Sequence, residues 1–199
     1  MRSFDELLAV SVKQHGHLCA GQIIGVRMAM LGCRLVGIDD PNLKEFRKSL
    51  IVYVEIDRCA TDAIESVTGC KLGRRSLKFR DFGINAATFV NIDSGAAFRI
   101  ISTETSRELV KKYAPDELDH YRQQMKGYQL MPDNELFDVQ RVTVNLSVYD
   151  MPGPTRKHVE CSRCRQMVRD GKEVVVNGES LCKICAGESY FQVVDTVKL

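Results

Sequence analysis

Four cysteines in the last quarter of the chain fall as two Cys-x-x-Cys pairs, Cys161/Cys164 and Cys182/Cys185, with seventeen residues between the pairs. Two-residue spacing turns both thiolates of a pair onto one ion. Two such pairs complete a tetrahedral four-sulfur shell, which suits Zn²⁺ at Zn–S distances of about 2.3 Å. The surrounding segment holds too few apolar residues for a core of its own, so metal binding must supply much of its folding energy. Residues 158–199 therefore read as a structural zinc finger with its tail, appended to something larger.

Pro152, Gly153 and Pro154 mark 151–157 as a linker and set the larger domain at 1–150. The spacing predicts a finger of treble-clef type: a knuckle at Cys161-x-x-Cys164, a hairpin over 168–181 turning at Asn177-Gly178, and a second knuckle at Cys182-x-x-Cys185 opening a short helix over 186–191. Eight cysteines in 199 residues would suit a secreted disulfide scaffold. The length, the Cys-x-x-Cys spacing and the charged start (Arg2, Asp5, Glu6) point instead to a reducing, cytoplasmic setting and to metal or thiol chemistry. The most apolar run, 23–38, carries Arg27 and Arg34 and is not a membrane span. Net charge is +2, and residues from Arg156 onward hold eight Lys/Arg against six Asp/Glu. Four thiolates around one Zn²⁺ add a formal charge of about −2, so the folded finger is near neutral. Its aromatics are Tyr190 and Phe191 alone, which is not the basic surface of a nucleic-acid reader.

The first 150 residues alternate between helical and strand periods. Helices are expected over 3–14, with Ser3 as N-cap and Glu6 closing a capping box, over 22–37, over 59–67, and once or twice within 102–126, where Pro115 restarts the second. Strands are expected over 50–57, 77–82, 86–92, 97–103 and 138–149. The fold class is α+β: N-terminal helices packed on a mostly antiparallel sheet. Gly21, Gly25 and Ala29 repeat every four residues. Glycine inside a helix costs about 1 kcal/mol against alanine, so this face points to close approach of a neighbouring backbone.

Candidate chemistry gathers at the element junctions. His15, His17 and Cys19 alternate in a glycine-flanked segment, so their side chains can converge on one point, and imidazole nitrogen and thiolate sulfur are preferred zinc ligands. Cys59 follows a buried strand and begins a helix, where the positive helix end favours a thiolate ligand or nucleophile. Asp62, one turn on, is either a carboxylate orienting a histidine or a complement to the helix dipole. Cys70 lies among Lys71, Arg74 and Arg75, which marks it as a candidate reactive thiol beside a cluster able to hold an anion. Cys33, inside an apolar helix, reads as packing. Asp81 and Asn85, around Gly83, read as turn residues.

Three separated motifs occur in order: His15-Gly-His17-Leu-Cys19-Ala-Gly-Gln-x-x-Gly25-x-Arg27, Asp57-x-Cys59-x-x-Asp62 running on to Thr68-Gly-Cys70-x-x-Gly73-x-Arg75-x-Leu77, and Asp81-Phe-Gly83. Over residues 5–150 they resemble the FmdE family, named for formylmethanofuran dehydrogenase, and some members of that family carry a C-terminal treble-clef finger. The resemblance implies an α+β core that forms a homodimer, a metal-binding cleft with His17, Cys19 and Cys59 as ligands and Cys70 nearby, and a link to the molybdenum or tungsten enzyme of methanogenesis. It implies an accessory metalloprotein whose core holds a second transition metal, zinc by its ligands, and whose finger docks dehydrogenase subunits. The residues also allow a zinc- or thiol-dependent enzyme acting on a small anionic substrate, with Cys70 or Asp62 as nucleophile or base. A third reading is a metal- or redox-sensing regulator whose finger binds nucleic acid.

Overall fold

Ser3 caps helix α1 (Phe4–His15): its hydroxyl accepts from the Glu6 N–H while the Glu6 carboxylate accepts from the Ser3 N–H. This reciprocal pair, expected from sequence, satisfies orphan donors at the helix start. It opens a computed structural model that describes residues 1–197. The chain divides into two units, Met1–Asn145 and Leu146–Leu199.

In the first unit, α2 (Ala20–Leu35) begins two residues earlier than expected, because Cys19 takes the extended N-cap conformation. It packs along α3 (Cys59–Thr68) through the small-residue face read from the sequence. A Cβ on Gly25 would lie 2.4 Å from the Ala60 carbonyl oxygen and 2.7 Å from Ala63 Cβ, closer than any side chain tolerates. Farther along α2, a Cβ on Gly32 would strike the Phe89 ring at 2.3 Å. Bare glycines thus let α2 press on α3 at one end and on the sheet at the other.

The sheet has five strands in the order β2 (Leu77–Phe79), β1 (Leu50–Val54), β3 (Ala86–Asn91), β4 (Ala97–Ser102), β5 (Phe137–Arg141). Only β1 and β2 pair in parallel, joined through α3; the remaining pairs are antiparallel. Every residue of β3 is buried. Ile23, Val26 and Met28 of α2 share the core with Phe89 and Ile100, each such side chain contributing roughly 1.5–3 kcal/mol on burial. Helices α4 (Thr105–Tyr113), α5 (His120–Leu130) and the single turn α6 (Asp133–Leu136) lie between β4 and β5 in sequence. Arg27 fastens them to α2: it donates to the carbonyls of Tyr128 and Met131 and pairs with Asp133 at 2.6 Å. Among the described residues no helix is long and apolar enough to cross a membrane.

Two strands are shorter than their sequence pattern. The alternation over 138–149 predicts one long strand, yet pairing stops at Arg141, opposite Phe98. One further bond joins the Val142 N–H to the Ala97 carbonyl, and there β4 has no more residues to offer. Alternation marks the capacity to pair; the length of the neighbour decides how much is used. The strand expected over 77–82 likewise pairs only as far as Phe79.

The second unit consists of two small hairpins and two knuckles. β6 (His158–Glu160) pairs with β7 (Met167–Arg169) across the first Cys-x-x-Cys, and β8 (Val174–Val176) pairs with β9 (Glu179–Leu181). Asn177 and Gly178 both take positive φ, 51° and 84°, as a tight two-residue hairpin turn requires. The turn is where the sequence places it, but the hairpin is shorter than 168–181, because β7 turns back to β6. The helix expected over 186–191 is absent from the described residues. The Ala186 and Gly187 N–H groups close turns onto Cys182 and Ile184, and Gly187 at φ 103° ends the rotation.

Candidate metal centres

The four finger cysteines converge. Their sulfur atoms all lie within 4.8 Å of one another, and Cys164 Sγ is 3.7 Å from Cys182 Sγ. The Ser162 N–H donates to the Ser180 carbonyl at 2.9 Å, which ties the first knuckle to β9. Backbone N–H groups of Cys164 and Cys182 point at Cys161 and lower its thiol pKa to about 6. Burial, followed by the neighbouring thiols, pushes Cys185 up to about 12. Four sulfurs in a shell of this size match a tetrahedral zinc site, with thiolate character already induced at one ligand.

A second cluster lies at the junction of α1 and α2. One ligand atom each from His15, His17 and Cys19 can be chosen so that all lie within 4.8 Å of one another. The two imidazole centroids are 4.7 Å apart. Gly16 makes this possible: it ends α1 at φ 99°, a conformation that side chains oppose, and sends the chain back so that alternate residues face one point. Asp62 settles the orientation of His15, accepting from Nδ1 at 2.8 Å. Of the two roles read from sequence, orienting a histidine is therefore the one its geometry serves. With Nδ1 engaged, Nε2 is the free ligand atom; it is buried and has no partner among the described residues. A buried nitrogen with an unused lone pair, beside a second imidazole and a thiol, is the donor set of a metal centre.

Cys59, the first residue of α3, stands beside this cluster. Its thiol interacts directly with that of Cys19, and burial followed by that contact raises its pKa. The Cys59 carbonyl accepts from Gln22 Nε2 at 2.7 Å, while the wholly buried Gln22 accepts in turn from the Ser11 hydroxyl. Tyr121, from α5, lies over both thiols, its pKa raised by burial and by their charges. Gln22 and Tyr121 are absent from the sequence-derived site. A polar residue on an otherwise buried helix face was the available signal for Gln22, whereas Tyr121 is a hundred residues away and carries none.

Two clefts open at Cys59. One, of about 360 Å³, is lined by Arg58, Asn85, Ser102, Thr103 and Arg107 among others. The other, of about 480 Å³, is more apolar, with Ile56, Leu72, Leu77 and Phe79 beside His15 and Asp62. Cys70 and Arg74 line neither; they face a separate cavity of about 50 Å³. Cys70 is 3% exposed, its Sγ lies 3.7 Å from the Leu50 carbonyl, and burial raises its pKa to about 11. Desolvation outweighs the basic neighbours that marked it as a reactive thiol. Lys71 is paired with Glu65 at 2.9 Å. Cys33 is fully buried in α2, as its apolar setting predicts.

A family model described as "FmdE, Molybdenum formylmethanofuran dehydrogenase operon" matches residues 14–138, a span that holds the whole His/Cys cluster and stops before the finger. A protein of Archaeoglobus fulgidus, named a probable S-adenosyl-L-methionine-binding protein, is 26% identical over 211 residues, covering 94% of this chain and 54% of the relative. The chain thus spans about half the length of the curated relative it matches. A crystal structure of an FmdE-like protein of tungsten formylmethanofuran dehydrogenase, from Syntrophus aciditrophicus, superposes with a TM-score of 0.60 at 19% identity, over 96% of each chain. At that identity the likeness is one of fold.

Proposed function

The chain belongs to the FmdE family, and on that premise we propose that it is an accessory metalloprotein with two metal sites. One is a zinc ion held in the finger by Cys161, Cys164, Cys182 and Cys185. The other is a transition metal, zinc by its donors, held in the core by His15 Nε2, His17, Cys19 and Cys59. The observation that carries the core site is the unpartnered, buried His15 Nε2 beside two other ligand atoms. Two imidazoles and one or two thiolates match zinc in number and kind. Asp62 fixes the His15 tautomer and increases its basicity. The finger docks a protein partner, with dehydrogenase subunits the class its family name suggests; Tyr190 is 95% and Val194 96% exposed there. The core forms a homodimer and the chain works in the cytoplasm, which sedimentation and fractionation test.

Metal content of the intact chain tests the two sites. Two zinc equivalents are expected in the wild type, one in a His17→Ala/Cys19→Ser variant and one in a Cys161→Ser/Cys182→Ser variant. One equivalent in the wild type, unchanged by the core variant, overturns the core site.

The clefts at Cys59 favour a second reading, in which the core metal is catalytic. If Cys59 stays off the ion, three protein ligands leave a position for water, whose pKa would fall towards about 7. The 360 Å³ cleft, with Arg58 and Arg107, would take a small anionic substrate. Binding of carboxylates or phosphate to the metal-loaded protein, abolished by Arg58→Ala, supports this reading; indifference to both substitution and metal opposes it.

A further inference from the structure

The four core cysteines fall into two kinds. Cys33 and Cys70 are sealed in separate apolar surroundings. Cys19 and Cys59 meet. Cys19 is the N-cap of α2 and Cys59 the first residue of α3, so the backbones that carry them are set by the glycine-mediated contact of the two helices. Gly21 lies between them: a Cβ there would be 2.8 Å from Cys59 Cβ and 3.7 Å from Cys19 Sγ. The thiols touch without an intervening side chain. Their exposure differs in a useful way. Cys59 lines two open clefts, whereas Cys19 is 6% exposed. A small oxidant reaches one sulfur, and the other is held ready behind it, the arrangement of an attacking and a resolving cysteine.

We propose that Cys19 and Cys59 form a redox modification site, oxidised by a hydroperoxide to a disulfide that empties the core metal site. The Cys59 sulfur attacks one peroxide oxygen; the O–O bond breaks and, with hydrogen peroxide, water leaves. The resulting Cys59 sulfenic acid is attacked by the Cys19 sulfur, the S–O bond breaks, and a second water leaves. Two electrons pass from the two sulfurs to the peroxide, and the two thiol protons end in the two waters. The disulfide withdraws sulfur from the ion and leaves His15 and His17, too few ligands to hold zinc firmly. A dithiol reverses the step. The metal-release half rests on the core site proposed above; formation of the disulfide does not.

The test uses the full-length, zinc-loaded chain and hydrogen peroxide, with zinc release followed by 4-(2-pyridylazo)resorcinol and cross-links mapped by non-reducing tryptic mass spectrometry. Cleavage places Cys19 in peptide 14–27 and Cys59, together with Cys70, in peptide 59–71. The expected product joins these two peptides, two hydrogens lighter than their sum, with one zinc equivalent released and recovered after dithiothreitol. Cys70→Ser must retain the link, and Cys59→Ser must lose it and slow the release by at least about tenfold. Core zinc that stays bound while peptides 14–27 and 59–71 remain unlinked overturns this proposal and leaves the metal site standing. A Cys19–Cys59 link in a chain that carries only finger zinc overturns the metal site and leaves the thiol pair standing. Oxidation confined to the finger cysteines overturns the proposal as well.

Discussion

Gly25→Ala tests the link between helix packing and the core site. The added Cβ would meet the Ala60 carbonyl oxygen at 2.4 Å, Ala63 Cβ at 2.7 Å and Ala60 Cα at 2.8 Å. Two of the three are backbone atoms, so no rotamer change relieves the clash, and α3 must move by about 1 Å to restore van der Waals distances of 3.4 Å or more. Overpacking of this kind costs roughly 1–3 kcal/mol, and alanine's better helix propensity returns about 1 kcal/mol. A net loss of about 1–2 kcal/mol is expected, or about 2–8 °C in Tm at this chain length. The more telling effect is on metal. Ala60 follows Cys59, so the displaced helix start carries the Cys59 sulfur and the Asp62 carboxylate with it. Ligand shells tolerate about 0.2 Å, and core zinc affinity should fall at least about tenfold, measured by competition with a chromophoric chelator. Gly73→Ala is the control, since nothing lies within 4 Å of its Cβ position; it should change neither quantity. A Gly25→Ala protein with wild-type Tm and unchanged core affinity would refute the claim that the α2–α3 approach sets the site.

Three further outcomes follow from the same structure. Asp62→Asn should weaken core zinc binding by about 10- to 100-fold with little change in Tm, because a partner that orients a ligand is lost while the fold is kept; equal affinity in calorimetric titration would remove Asp62 from the site. Arg99→Ala strips the two 2.7 Å hydrogen bonds from the buried Glu55 carboxylate and should cost about 3–5 kcal/mol in chemical denaturation, with Arg99→Ala/Glu55→Gln recovering part of it. Chelation of finger zinc should collapse the amide NMR signals of residues 158–187 and spare those of β1, β3 and β4, since the finger's own buried cluster is little more than Cys161, Leu181 and Cys182; a finger that stays ordered without metal would contradict the reading of its stability.

What was legible in the sequence was local. The Ser3/Glu6 capping box, the Asn177-Gly178 turn, the two Cys-x-x-Cys knuckles and the alternation of His15, His17 and Cys19 each lie within a few residues, where backbone geometry alone decides which side chains meet. The glycine face of α2 was legible too, because its four-residue period and the cost of glycine in a helix leave close packing as its reason. Pairing and burial were not. That β5 stops at Arg141 depends on where β4 begins, and that the finger ends in turns rather than a helix depends on how Gly187 closes the second knuckle. Basic neighbours marked Cys70 as reactive, but its depth behind Leu50 decides the sign of its pKa shift. Sequence placed Cys59 and Asp62 at a helix start; only the docking of α3 on α2 sets one against Cys19 and the other against His15. A residue's nearest sequence neighbours are fixed by covalent geometry, whereas its solvent and its long-range partners are fixed by the packing of the whole domain, and at this site those partners decide the chemistry.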